Sequence, residues 1–167
     1  MSETRPRGYF ALGVEGISKP RNMGAIMRTA HAFGAQFVFT VGAALPVRDA
    51  YSADTSKTFE SVPYYGWNTI KDMALPRGCL LVGVELTEDA VDLPSFRHPR
   101  MAAYVLGRER GDLSAEMLSR CDHVVKIPTR FCINVSLAAA LVMYDRVHLL
   151  GAFPDRPIMP GGPKDRG

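Results

Sequence analysis

The sequence predicts an α/β domain: a mostly parallel sheet with helices on both faces. Three observations carry this reading. Five short apolar runs alternate with helical patterns along the chain, the arrangement of βαβ units. Most of the runs are continuously apolar, as strands covered on both faces must be. The length, 167 residues, suits one domain and is short for two.

The strands are expected at residues 10–14, 37–41, 80–84, 103–106 and 123–127. The first helix follows the loop "EGISKPRN" and covers residues 22–33, with Asn22 as its N-cap. Wound at about 100° per residue, it puts Ile26, Thr29, Ala30 and Phe33 on the buried stripe. Gly24, Met27, Arg28 and His31 fall on the other side, with Gly24 leaving that face bare for a close approach. A weaker helical pattern covers 68–74. A helix at 114–120 carries its own capping residues, Asp112 or Ser114, with Glu116 in its first turn. The longest helix spans 134–150, and its stripe of Ile133, Leu137, Leu141 and Tyr144 is read as core. These elements form one domain over residues 1–150. The tail 151–167, "GAFPDRPIMPGGPKDRG", holds four prolines and four glycines in 17 residues and is expected to be extended and mobile.

Composition excludes several classes. Three cysteines, Cys79, Cys121 and Cys132, form no CxxC pair and make a poor disulfide framework, so a reduced, cytoplasmic setting is expected. The four histidines have no metal-ligand spacing, and no metal is expected. The start "MSETRPRGYF" has no apolar signal region and no run approaches a membrane span, so no membrane partner is expected. The net charge of +3 hints only weakly at a polyanion. Its distribution says more. Ligands of open parallel sheets bind beyond the carboxyl ends of the strands. Four of the five loops there carry cations: Lys19 and Arg21, Arg48, Arg108 and Arg110, and Arg130. Such a rim suits a phosphodiester, although loops are also simply where arginines go. In "YSADTSKTFESVPYYGW", Tyr51, Tyr64, Tyr65 and Trp67 could stack on unpaired bases or pack at a loop or dimer edge.

Three segments carry the strongest signal. "NMGAIMRTAHAFGA" has Asn22, Gly24 and Arg28; "VLGRERGDL" has Gly107, Glu109 and Gly111; "IPTRFCINVSLAAA" has Ile127, Pro128, Asn134 and Val135. In this order and near this spacing, over residues 8–150, they resemble the three motifs of the SPOUT superfamily. More narrowly, they resemble those of the SpoU/TrmH family of RNA ribose 2′-O-methyltransferases. The resemblance implies an α/β trefoil knot, bent S-adenosylmethionine as cofactor, a tRNA or rRNA substrate, and a homodimer whose sites are completed by both subunits. It implies the catalytic set Arg28, Asn22, Glu109 and Asn134, with Arg28 in the leading role. The cofactor pocket falls to Leu86, Gly107, Ile127 and Cys132, and RNA contact to Lys19, Arg21, Arg108, Arg110 and Arg130. Two departures stand out. Cys132 replaces the family's usual serine in a shortened loop, and a thiol is the weaker hydrogen-bond donor. The first strand also begins by about residue 9, where many relatives carry a preceding RNA-binding domain. Substrate selection is then expected from the knot domain, the tail or a second subunit. The competing reading is an RNA-binding module of the same fold with little or no methyl transfer.

Overall fold

The computed structural model describes residues 8–44, 58–108 and 111–163, with Thr58 and Phe59 described by backbone alone. Glu109, Arg110, Arg48 and Tyr51 lie outside the described residues. Seven strands form one sheet in the order β3-β2-β1-β6-β4-β7-β5, and every pairing is parallel. They are β1 Tyr9–Glu15, β2 Phe37–Val41, β3 Tyr64–Trp67, β4 Leu80–Val84, β5 Val91–Asp92, β6 Met101–Leu106 and β7 His123–Lys126. The helices are α1 Pro20–Phe33, α2 Thr58–Ser61, α3 Ala115–Arg120 and α4 Val135–Leu150. The five expected strands are all present. β3 and β5 are additions at the two edges of the sheet.

The alternation of side chains along the strands divides the core in two. Phe10, Leu12, Val14, Val82, Tyr104 and Leu106 face α1 and α4. Ala11, Phe39, Val41, Leu81, Ala103 and Val105 face α3 and the loop carrying Ile70 and Met73. Helices thus cover both faces, as expected. The pattern at 68–74 forms only a 3-10 turn, Ile70–Asp72, closed by a capping box between Thr69 and Asp72. Arg120 of α3 donates to the Ile70 carbonyl at 2.9 Å and ties this turn to the helix.

Three further expectations need correction. α1 begins two residues before Asn22: Lys19 is its N-cap and Pro20 its first residue, where the missing N–H costs nothing. Its buried residues are Met23, Gly24, Ile26, Met27 and Ala30, so Met27 and Gly24 face the core rather than solvent. α4 packs against this side, and its arrival widens the buried stripe. Each such fully buried methionine contributes roughly 1.5–3 kcal/mol. Arg28 does stay exposed. On α4 the stripe read as core is exposed: Leu137 60%, Leu141 43% and Tyr144 57%. The buried face is instead Val135, Ala139, Val142, Met143 and Arg146.

Arg146, only 2% exposed, anchors α4 at the amino-terminal edge of the sheet. Its guanidinium donates to the carbonyls of Pro99 (2.6 Å), Arg100 (2.7 Å) and Tyr9 (3.3 Å), and to the Tyr104 hydroxyl (3.0 Å). A buried charge is tolerable only with such partners. The Tyr104 hydroxyl lies 2.6 Å from His98 Nδ1, and His98 Nε2 lies 2.8 Å from Asp145 Oδ2. Because the carboxylate only accepts, Nε2 carries the proton and Nδ1 accepts from Tyr104. A second imidazole proton would leave the Tyr104 hydroxyl hydrogen without an acceptor. Burial, opposed by Asp145, sets the His98 pKa below its ordinary value. The unfolded chain therefore binds more protons than the folded one below about pH 6.5. Unfolding free energy should fall as pH drops through that value toward the folded-state pKa. The His98 ring, followed by NMR, should titrate below 6.5; a raised value would reverse the sign.

Candidate active site

Because all strands run one way, the loops after β1, β6, β4 and β7 meet at one edge of the sheet. The loop after β6 returns tightly at Gly107. A Cβ there would sit 3.0 Å from the Gly111 carbonyl oxygen and 3.0 Å from the Leu113 nitrogen, so the motif glycine meets a close approach of backbone to backbone. Ser114 then caps α3, its hydroxyl accepting from the Met117 N–H at 3.1 Å. After β7, Asn134 caps α4: its side-chain oxygen accepts from the Ser136 N–H at 2.8 Å and the Ser136 hydroxyl at 2.6 Å.

These loops enclose a cavity of about 290 Å³. All four residues assigned to the cofactor line it: Leu86, Gly107, Ile127 and Cys132. Leu106, Ile133, Val135 and Ala138 add apolar wall, and Glu85 and Asp112 add carboxylates. Arg108, expected to face RNA, also lines this cavity, while Arg130 is exposed on the loop leading to Cys132. A second cleft is lined by Lys19, Arg21, Asn22, Ala25, Asn134 and Ser136. Here the first turns of α1 and α4 meet, and Asn134 Nδ2 donates to Asn22 Oδ1 at 3.4 Å. Two helix N-termini and two cations make this cleft anion-friendly. Arg28 lies further along α1 and lines neither cavity.

Sequence reasoning missed two carboxylates that shape the site. Glu85 Oε2 accepts from the Leu113 N–H at 2.7 Å, and its Oε1 accepts from the Leu86 N–H at 2.9 Å. Glu15 accepts from the Ser114 N–H at 2.9 Å and the Ser114 hydroxyl at 2.6 Å. The available signal was a repeated tripeptide, Gly-Val-Glu, at 13–15 at the end of β1 and at 83–85 across the end of β4. Among the described residues no cluster of three or more His, Cys, Asp or Glu is placed to hold a metal. No helix among them is long and apolar enough to cross a membrane.

A strand-end pocket walled by a glycine turn and an Ile-Pro loop, beside a paired-asparagine cleft, is where an open parallel α/β sheet places a ligand site. The family model described as the SpoU rRNA Methylase family matches residues 9–144. This chain belongs to that family. It is 32% identical over 147 residues to the mouse tRNA (guanosine(18)-2′-O)-methyltransferase TARBP1, covering 81% of this chain and 9% of that protein. It is 30% identical over 139 residues to the Escherichia coli tRNA (guanosine(18)-2′-O)-methyltransferase, covering 79% of this chain and 60% of that one. The chain therefore spans less than two thirds of either relative's length. Among solved structures it resembles the SpoU methyltransferase AviRb from Streptomyces viridochromogenes in complex with AdoMet. That match has a TM-score of 0.75 at 25% identity, covering 86% of this chain and 58% of the other.

The cysteines should separate by exposure. Cys132 is exposed at the cavity, whereas Cys121 and Cys79 are half-buried. Burial pushes the Cys121 thiol up to about 11 and raises Cys79 as well. Only the thiolate alkylates. Brief iodoacetamide treatment of the native protein should therefore label Cys132 and spare the other two until denaturant is added, as read by peptide mass spectrometry.

Proposed function

We propose that this chain transfers a methyl group from S-adenosylmethionine to a ribose 2′-hydroxyl of tRNA or rRNA, in the cytoplasm. The observation that carries the reading is the convergence of Leu86, Gly107, Ile127 and Cys132 on one cavity, in a chain of the SpoU family. The cavity fits the cofactor's chemistry: apolar walls, turned backbone at Gly107 and Gly111, and carboxylates at Glu85 and Asp112 for hydroxyl or cationic groups. Bound there, the cofactor would supply an electrophilic methyl on a sulfonium. The relatives named above are tRNA enzymes and the family is described by rRNA, so the substrate is stated as either.

The protein's part is positioning and charge stabilisation. A ribose hydroxyl is a poor nucleophile until its proton leaves or its oxygen charge is stabilised. Arg28 is no ordinary base, since a guanidinium pKa lies above about 12. Its role is to hold a phosphate and stabilise the developing alkoxide. Asn134 orients the hydroxyl and Asn22 braces Asn134, consistent with their hydrogen bond. Glu109 is assigned to brace the loop it lies on. Lys19, Arg21, Arg108, Arg110 and Arg130 are assigned to the RNA backbone. In-line alignment of methyl and oxygen supplies much of the rate.

Arg28 lines neither cavity, so the reading requires a second copy to complete each site. The exposed Leu137, Leu141 and Tyr144 stripe supports this, because it runs along α4 from the Asn134 end and is too apolar for a solvated face. The trefoil knot belongs to the same reading, supported by β6 and β7 each entering between strands that precede them. Cys132, in the place of a serine, is the one observation favouring an RNA-binding module without transfer.

The deciding assay incubates the protein with total RNA and methyl-labelled S-adenosylmethionine, then reads digested nucleosides by mass spectrometry. Labelled 2′-O-methyl nucleosides are expected. Label on a base would overturn the ribose assignment, and no cofactor binding by calorimetry would leave the binding module. Arg28→Ala should lower single-turnover transfer about 10²- to 10³-fold, shift stability by no more than about 0.5 kcal/mol and leave cofactor affinity near wild type; Arg28→Lys should rescue poorly. By sedimentation the protein should be a dimer at micromolar concentration, and Leu141→Arg should yield a folded, inactive monomer.

A further inference from the structure

β6 pairs with β1 on one side and β4 on the other, in matching register. Val105 lies opposite both Gly13 and Gly83, and Leu106 opposite both Val14 and Val84. The next residues, Glu15 and Glu85, therefore flank Gly107 where the loop leaves the sheet. Both side chains turn onto that loop near its far end. Glu85 takes the Leu113 N–H, and Glu15 takes the N–H and hydroxyl of the very next residue, Ser114. The Ser114 hydroxyl still accepts from Met117, so the Glu15 contacts are additional to an ordinary helix cap. Hydrogen bonds to a carboxylate are stronger than neutral ones, and Glu15 is largely buried, at 9% exposure.

We propose that Glu15 and Glu85 are positioning residues, a carboxylate brace that holds residues 111–114 in the shape that walls the cofactor cavity. The inference rests on reading that cavity as the S-adenosylmethionine site. Glu85 lines the cavity itself, but Glu15 does not. Glu15 thus acts on the cofactor only through the loop, which separates bracing from direct contact.

The partners of the two carboxylates predict different responses to an amide. Both partners of Glu85 are N–H donors, so the NH₂ of a glutamine there would face a donor. Glutamine at position 15 would keep both contacts: its oxygen accepts the Ser114 N–H and its NH₂ donates to the hydroxyl.

The test is S-adenosylmethionine titration by calorimetry, with amide hydrogen exchange on the same proteins. Glu15→Leu and Glu85→Gln should each weaken binding about tenfold or more. Glu15→Gln should recover most of what Glu15→Leu loses. In the wild-type protein, the Leu113 and Ser114 amides should exchange as slowly as those of the central strands. Exchange at Leu113 should accelerate in Glu85→Gln. Wild-type affinity in Glu15→Leu, a Glu15→Gln protein no better than Glu15→Leu, or fast exchange at both wild-type amides would overturn the brace. If Glu15→Leu does not fold, the wild-type exchange and Glu85→Gln still decide it. Should the wild type bind no S-adenosylmethionine, the methyltransferase reading falls, while the exchange rates still report on the brace.

Discussion

The parallel pairing of β6 between β1 and β4 is the constraint on which the site depends. It brings together strand ends separated by some ninety residues of sequence, and each strand end delivers one part of the pocket or of the cleft beside it. β1 leads into Lys19 and the first turn of α1, which line the cleft, while β4 leads into Leu86 and β6 into Gly107 of the pocket. β7, on the far side of β4, leads into Ile127 and Cys132. Were any of these strands antiparallel, its loop would fall at the opposite edge. The pairing also sets the two strand-end glutamates on either side of one loop, which neither strand could do alone.

A second fixed point lies at the opposite edge. Arg146 spends its donors on three carbonyls and a tyrosine hydroxyl, and its guanidinium sits 5.2 Å from the Phe10 ring centroid. This clamps the carboxyl-terminal half of α4 to the start of β1 and β6. The other end of the same helix carries Asn134, while Val135 and Ala138 form pocket wall. A rigid rod held at its far end sets the angle at which those residues reach the site. The same clamp decides which face of α4 is buried. It turns Val142 and Met143 inward and leaves Leu137, Leu141 and Tyr144 outward.

Much was legible in the residues themselves. Five strands, three of the four helices and the four pocket residues follow from apolar runs, capping signals and family motifs, because these are local features repeated at short range. The edge strands were not legible. β5 is two residues long, and β3, Tyr64–Trp67, reads as an aromatic loop until it pairs with β2 and its Tyr65 and Trp67 rings stack at 6.2 Å. Helical periodicity marks a face as apolar but does not say what covers it. That is why Met27 was placed outside and Leu141 inside, each against the observed packing.

By itself, the sequence determined the fold class, the order of five of the strands and three of the helices, and which loops meet at the carboxyl edge. Alternation of apolar runs and helices, and glycine and capping chemistry at the turns, are written residue by residue. Tertiary structure alone decided that Glu15 and Glu85 grip adjacent amides, that Arg146 is a buried anchor, and that one apolar stripe of α4 stays uncovered. Each of these depends on which distant segments become neighbours. A carboxylate or an arginine reads the same in sequence whether its partner is water or a backbone group a hundred residues away.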